Sequence, residues 1–344
     1  MVNAICQEIR MAGNGKAEPI ETIYFGGGTP SLLSPEQLDR IMNALHENFA
    51  MDAHAEITIE ANPDDISPAL LDAWKQAGLN RISLGVQSFD EKELRWMNRA
   101  HGANQSRESL LQIRAAGFTN FSADLIYGLP GMSLEELEQT IKEFLQYDIP
   151  HLSCYALTVE PKTVLANNID KGKATDTDSA LQASHFAYLV KALQEAGYEQ
   201  YEISNFAKPG FRSRHNSSYW QGKAYHGFGP AAHGFDGLHT RRWNMANNSL
   251  YIQSITSGIQ PFEEEILTPA QSANEYIMTS LRTSEGMHMG TLQRMLSSAQ
   301  IDTLLQRTIK YIEGNLLYRD GDVWRLTDEG KFLADGIAAD LFVD

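Results

Sequence analysis

From Thr22 onward the chain repeats one unit: a short apolar strand, a polar loop, a helix and a closing glycine. Strand 22–25 runs into Gly26-Gly27-Gly28-Thr29-Pro30. The next helix has Ser34 as its cap, Pro35 at its first position and Gln37 as capping-box partner, and runs to about Asn48 with Leu38, Ile41, Met42 and Leu45 inward. Strand 56–60 leads to Ser67-Pro68 and a helix closed near Gly78. Strand 81–86 leads to Gln87 and helices ending near Gly117. Strand 121–127 leads to the turn Gly128-Leu129-Pro130-Gly131, after which Ser133 caps a helix with Glu136 at the box position. Strand 152–157 leads to a long loop and a helix over about 177–197. Five such units in succession predict an α/β fold: a full or partial (β/α) barrel of parallel strands with helices outside.

Right-handed crossovers put the C-terminal end of every strand on one rim. That rim collects Gly26–Thr29, Glu60, Gln87, Asp124 and the loop 156–160. Taken singly, each reads as loop or cap chemistry. Taken together, polar groups from four or five separate strand ends predict a site, because barrels of this kind keep their sites there. Three consecutive glycines add a backbone that can turn freely and let another molecule come close.

The rest of the chain changes character. Residues 201–260 are rich in aromatics, Gly, Asn and His, show no helical period, and read as strands and long loops. Helices are expected near 269–282, 291–297 and 301–314. A hairpin follows over 316–326, turning at Asp320-Gly321, and Thr327 caps a last helix. Helices plus a hairpin suggest a winged-helix-like module. Between 262 and 344, however, 14 acidic residues stand against 7 basic ones, a net of −7, so DNA binding is the weaker reading. The expected division is a partial barrel over 1–200, an irregular strand/loop extension over 201–265, and a small helical winged-helix-like module over 266–344.

Charge and cysteine count narrow the function. A net charge of −16 over 344 residues argues against generic nucleic-acid binding, which draws on Lys and Arg. No apolar run approaches the roughly 18 residues of a membrane helix, and residues 1–10 do not have a signal peptide's basic-then-apolar pattern. Two cysteines, Cys6 and Cys154, fit a reducing cytoplasm and do not suggest a disulfide framework. Cys6 lies with Val2, Ile5 and Ile9 on the apolar stripe of a short first helix, where a core thiol is expected.

Several runs carry a resemblance: Tyr24-Phe25-Gly26-Gly27-Gly28-Thr29-Pro30-Ser31, Glu60-Ala61-Asn62-Pro63, Gly85-Val86-Gln87-Ser88-Phe89, Asn98-Arg99-Ala100-His101 and Asp124 to Gly131. In this order they resemble the radical S-adenosylmethionine proteins related to oxygen-independent coproporphyrinogen III oxidase. His215-Asn216, Tyr219-Trp220 and Gly227 to His233 resemble the heme-chaperone (HemW) branch of that family. The resemblance spans the chain. It implies S-adenosylmethionine, heme and a 4Fe-4S cluster as cofactors, and heme and heme-accepting proteins as partners, with a homodimer left open. Carried over, Gly27, Gly28 and Thr29 would line the methionine moiety. Glu60, acceptor-only when ionised, would take ribose hydroxyls or the ammonium. Gln87 and Asp124 would face the ribose, and Arg99 would pair with the carboxylate through its fork of donors. The Tyr127–Gly131 turn and the backbone near Ala156 would flank adenine. His215, His226 and His233 each read alone as structural histidines, and His215 is the expected heme ligand.

The family's radical chemistry needs three cysteines spaced Cys-x3-Cys-x2-Cys, which this chain does not contain. It also opens on a helix with no strand before it, which is out of step with a strand–helix array. One strand and its cysteine loop are therefore expected to be absent from the front. A late start is favoured over a genuine shortening, because a barrel without its first strand exposes an edge. As it stands the chain is expected not to cleave S-adenosylmethionine reductively. Heme chaperoning is the leading expectation, and a coproporphyrinogen III oxidase-like enzyme of porphyrin biosynthesis is the alternative.

Overall fold

The computed structural model describes residues 1–13 and 19–344. Seven strands form the main sheet: β1 (Ile20–Phe25), β2 (Met51–Ala61), β3 (Arg81–Gln87), β4 (Phe121–Tyr127), β5 (His151–Ala156), β6 (Glu199–Glu202) and β7 (Asn205–Ala207). Their order is β1-β2-β3-β4-β5-β7-β6. β2 through β5 run parallel in sequence order, and β7 joins β5 antiparallel with β6 at its far side. This is the expected partial (β/α) barrel.

The helices between strands form where the caps require. Ser34 and Ser133 each accept from the backbone N–H three residues on, and Gln37 and Glu136 return the bond, closing two capping boxes. Leu38, Ile41, Met42 and Leu45 are buried as their spacing predicts. In the first helix, Val2–Ala12, Cys6 and Ile9 are buried, and so is Glu8, which a hydrophobic stripe does not reveal.

Four expectations are corrected. The loop after β5 contains a helix, Val164–Asp170, capped by Thr163. Residues 201–260 contain two helices, Arg214–Trp220 and Asn248–Thr256. The second is capped by Asn247 and buries only Tyr251 and Ile255, too sparse a pattern to register as periodic. β2 starts at Met51, five residues before the expected Glu56. The last helix breaks at Leu333 into Asp328–Phe332 and Ala334–Asp340, and a short strand, Met287–His288, pairs with the hairpin.

The described residues divide into two compact units. The first comprises Met1–Tyr24, Leu33–Ile57 and Arg214–Asp344, and the second Phe25–Leu32 and Thr58–Ser213. Within the second, strand residues alternate. Ile59, Ile82, Leu84, Val86, Ala123, Leu125, Leu152 and Cys154 are buried and apolar. Between them stand Thr58, Glu60, Arg81, Ser83, Ser122, Asp124, His151 and Ser153. Strands buried on both faces usually read as continuous apolar runs. Here one face of the sheet is polar along its length, and the cleft opens on that face.

Candidate functional site

The cleft lies within the second unit. It has a volume of about 240 Å³ and is lined from successive strands and the segments after them: Gly28, Thr29, Glu60, Gln87 and Arg99, with Asp124 from the middle of β4. Asn62, Ser83 and Gly85 line it as well. Gly27 stands at its edge, where its N–H donates to Glu60 Oε2 at 3.1 Å. Seven of the eight expected site residues are thus brought together. Ser83 was missed, although the two-residue period of β3 places it on the same face as Gly85 and Gln87.

Three cleft positions have positive φ, one of them a strained non-glycine. Gly27 and Gly28 have φ of 77° and 63°, and a Cβ on either would meet nothing within 4 Å. Gln87 has φ of 67° at a register shift between β3 and β4, an unfavourable state for a side chain and one typical of ligand clamps. Arg99 donates to Asn62 Oδ1 at 2.8 Å and reaches Gly85 O at 3.4 Å, so its guanidinium is held across the cleft wall.

Asp124 carries the most perturbed carboxyl of the cleft, pushed up to about 7. Burial is the main cause; the Ser153 hydrogen bond opposes it, Glu60 adds to it, and Arg81 and Arg99 pull the other way. Near neutrality this group exists in both forms and can donate or accept a hydrogen bond. The Tyr127–Gly131 turn and Ala156 do not line this cleft. Gln182 closes that turn instead, donating to Leu157 O at 2.8 Å and Gly128 O at 3.4 Å.

His215 belongs to the first unit and is built differently. The N–H groups of Arg214 and His215 donate to the Glu56 carboxylate of β2, at 3.1 and 2.9 Å. This anchors the start of the Arg214–Trp220 helix, whose first N–H groups lack helical partners. His215 Nδ1 lies 2.8 Å from Thr22 Oγ1, and Nε2 lies 3.1 Å from the Tyr219 hydroxyl. The ring stacks on Tyr24 with centroids 4.7 Å apart and planes at 16°. Tyr219 meets it edge-on, and Tyr225 meets Tyr219 edge-on in turn.

The other two histidines differ. Arg242 donates to His226 Nδ1 at 3.2 Å, so the proton of the neutral ring sits on Nε2 and leaves no lone pair there. His233 is exposed, its ring 6.3 Å from Trp243. Sequence reading also missed Glu8, whose buried carboxylate accepts from Tyr251 Oη at 2.5 Å, Gly229 N–H at 2.8 Å and Asn244 Nδ2 at 2.6 Å. It thereby fixes the Gly227–His233 loop.

The thiols do not suit an iron–sulfur cluster. There are two, Cys6 and Cys154, both buried. Cys6 Sγ donates to Arg40 O at 3.6 Å, and burial pushes the Cys154 thiol well up. Among the described residues no group of three His, Cys, Asp or Glu could hold a metal ion. No described helix is long and apolar enough to cross a membrane.

The Radical SAM superfamily model matches residues 5–144, and the HemN C-terminal domain model matches 267–333. The heme chaperone HemW of Bacillus subtilis is 35% identical over 342 residues, covering 98% of this chain and 89% of the relative. The Escherichia coli heme chaperone HemW is 30% identical, covering 92% of this chain and 83% of the relative. The structure of Escherichia coli coproporphyrinogen III oxidase (HemN), a radical SAM enzyme, superposes with a TM-score of 0.84 at 23% identity, covering 99% of this chain and 82% of that one. That likeness establishes the fold.

Proposed function

The chain belongs to the HemW family of radical S-adenosylmethionine proteins, and on that footing we propose that it binds heme and delivers it to heme proteins. The carrying observation is that a heme chaperone aligns with 98% of the chain. His215, in an aromatic nest with its Nε2 beside an exposed tyrosine, supports the reading, because an imidazole lone pair can ligate heme iron while aromatic rings pack a macrocycle.

The cleft is the proposed S-adenosylmethionine site. Gly27, Gly28 and Thr29 hold the methionine end, with backbone carbonyls accepting from its ammonium. Arg99 pairs with its carboxylate. Glu60, Gln87 and Asp124 take the ribose hydroxyls. The open space beside both glycines and the convergence of donors and acceptors from separate strand ends support this assignment. S-adenosylmethionine supplies a radical only when a reduced cluster cleaves it, and the two buried thiols do not provide that cluster. We therefore assign binding, and not radical chemistry, to these residues. Anaerobic treatment with iron and sulfide is expected to leave no stable four-iron cluster and no 5′-deoxyadenosine; formation of both would overturn that assignment.

The test of the function is a hemin titration followed by mixing with an apo-heme protein. Saturable hemin binding, lost in His215→Ala, and transfer to the acceptor are expected. Absence of saturable binding, together with turnover of a porphyrinogen, would favour the coproporphyrinogen oxidase-like alternative.

A further inference from the structure

His215 is held at both ring nitrogens, and the two partners differ in how easily they can leave. Thr22 Oγ1 sits on a short β-branched side chain of β1, the edge strand of the main sheet, and its stiff χ1 holds it at Nδ1. Tyr219 is 42% exposed and sits one turn along a seven-residue helix, so rotation of its side chain frees Nε2 at the cost of one hydrogen bond and its edge-on contacts with His215 and Tyr225. A neutral imidazole has one donor and one acceptor nitrogen, and the partner of one decides the state of the other. Both partners are hydroxyls, which can donate or accept, so the contacts fit either tautomer; in the one with Nδ1–H donating to Thr22 Oγ1, the Nε2 lone pair accepts from the Tyr219 hydroxyl. That tautomer is also the one in which Nε2 can bind iron. Tyr24, flat against the ring, keeps it from rotating out of this direction.

Resting on the reading of His215 as the heme ligand, we propose that Thr22 and Tyr219 are positioning residues: Thr22 sets the tautomer, and the Tyr219 hydroxyl keeps the coordination position on Nε2 until heme iron displaces it. The exchange is balanced. The Tyr219 O–H···Nε2 hydrogen bond breaks, an iron–nitrogen bond forms, and no proton leaves either residue, because the tyrosine turns to water with its hydroxyl intact. Nδ1–H stays on Thr22, and a partner of this kind raises the basicity of the ligating nitrogen and fixes its aim. Reversing the exchange lets Tyr219 return to Nε2 as iron departs, which suits a protein that must release its cargo.

The experiment is a hemin titration of the full chain with Tyr219→Phe, Thr22→Val, Thr22→Ser and His215→Ala. It reads the Soret and visible bands of histidine-ligated ferric heme, with association followed by stopped flow. Tyr219→Phe keeps the ring and loses the competing hydroxyl, so it should bind hemin roughly fivefold more tightly, with faster association and the same bands. Thr22→Val should weaken binding about tenfold and broaden the bands, and Thr22→Ser should restore both. His215→Ala losing the histidine bands while Tyr219→Phe and Thr22→Val behave as the parent would overturn the positioning roles alone. His215→Ala retaining the bands would overturn the ligand reading and this proposal with it. Loss of affinity in Tyr219→Phe, with its circular dichroism unchanged, would also overturn the proposal, since the hydroxyl would then be required and not displaced.

Discussion

The cleft takes a residue or two from each of several successive strand ends, whereas the His215 nest joins β1, β2 and a helix whose imidazole lies 193 residues beyond its Thr22 partner. The first arrangement follows from chain order. Once strands are parallel and sequential, their C-terminal ends must meet, so Glu60 and Gln87 had to share a rim; Asp124 joins them from the middle of β4, on the same face of the sheet. The second follows from no periodicity. Glu56 and Thr22 look like ordinary strand residues until the Arg214–Trp220 helix is seen resting on them. The energetics differ too. The cleft stores cost, with a carboxyl pushed up to about 7 and a glutamine at positive φ. In the first unit, by contrast, His215 has a partner at each ring nitrogen and Glu8 accepts three buried hydrogen bonds.

The comparison breaks first, and by the largest amount, at Asp124. Unfolded, its carboxyl titrates at about 3.9; folded, it titrates at about 7. Between these values the folded state holds the extra proton. Stability should therefore be highest below the unfolded pKa, fall as pH rises through that window, and level off above it. The swing is at most about 4 kcal/mol, because Asp124 is half-buried and lines the open cleft. Asp124→Asn should remove that slope, read as denaturation midpoints from pH 4 to 8. An unchanged slope would mean that Asp124 stays ionised and that the cleft stores no such cost.

In the first unit the matching test is Glu8→Ala. It strands three buried donors, so a loss of about 3 kcal/mol is expected, with the Gly227–His233 loop becoming more accessible to hydrogen exchange. A loss under about 1 kcal/mol would mean that this network is not a fixed part of the fold. The smallest expected effect is Gly28→Ala. A Cβ there meets no atom within 4 Å, so only the backbone preference is lost, about 1 kcal/mol in denaturant melts. Affinity for S-adenosylmethionine by calorimetry should drop more sharply than stability does. A stability loss near 3 kcal/mol instead would show a packed glycine where open space is expected.

Helix caps and strand order were legible because their signals are local. Ser34 with Gln37 and Ser133 with Glu136 announce their helices within four residues, and both boxes form. The Arg214–Trp220 helix was illegible for the opposite reason: its first N–H groups are satisfied by a carboxylate some 158 residues earlier, so no local cap marks it. Glu8 was hidden by its own stripe, since a charged residue beside Cys6 and Ile9 reads as the solvent edge of a helix.

The order of strand–helix units and the glycines, carboxylates and arginine at their ends were therefore determined by the sequence itself, through local propensity and the fixed hand of parallel crossovers. Which histidine is held at both ring nitrogens, and by what, was decided only in three dimensions. A ring nitrogen's state depends on the atom opposite it, and for His215 those atoms, Thr22 Oγ1 and the Tyr219 hydroxyl, come together only once the chain has folded.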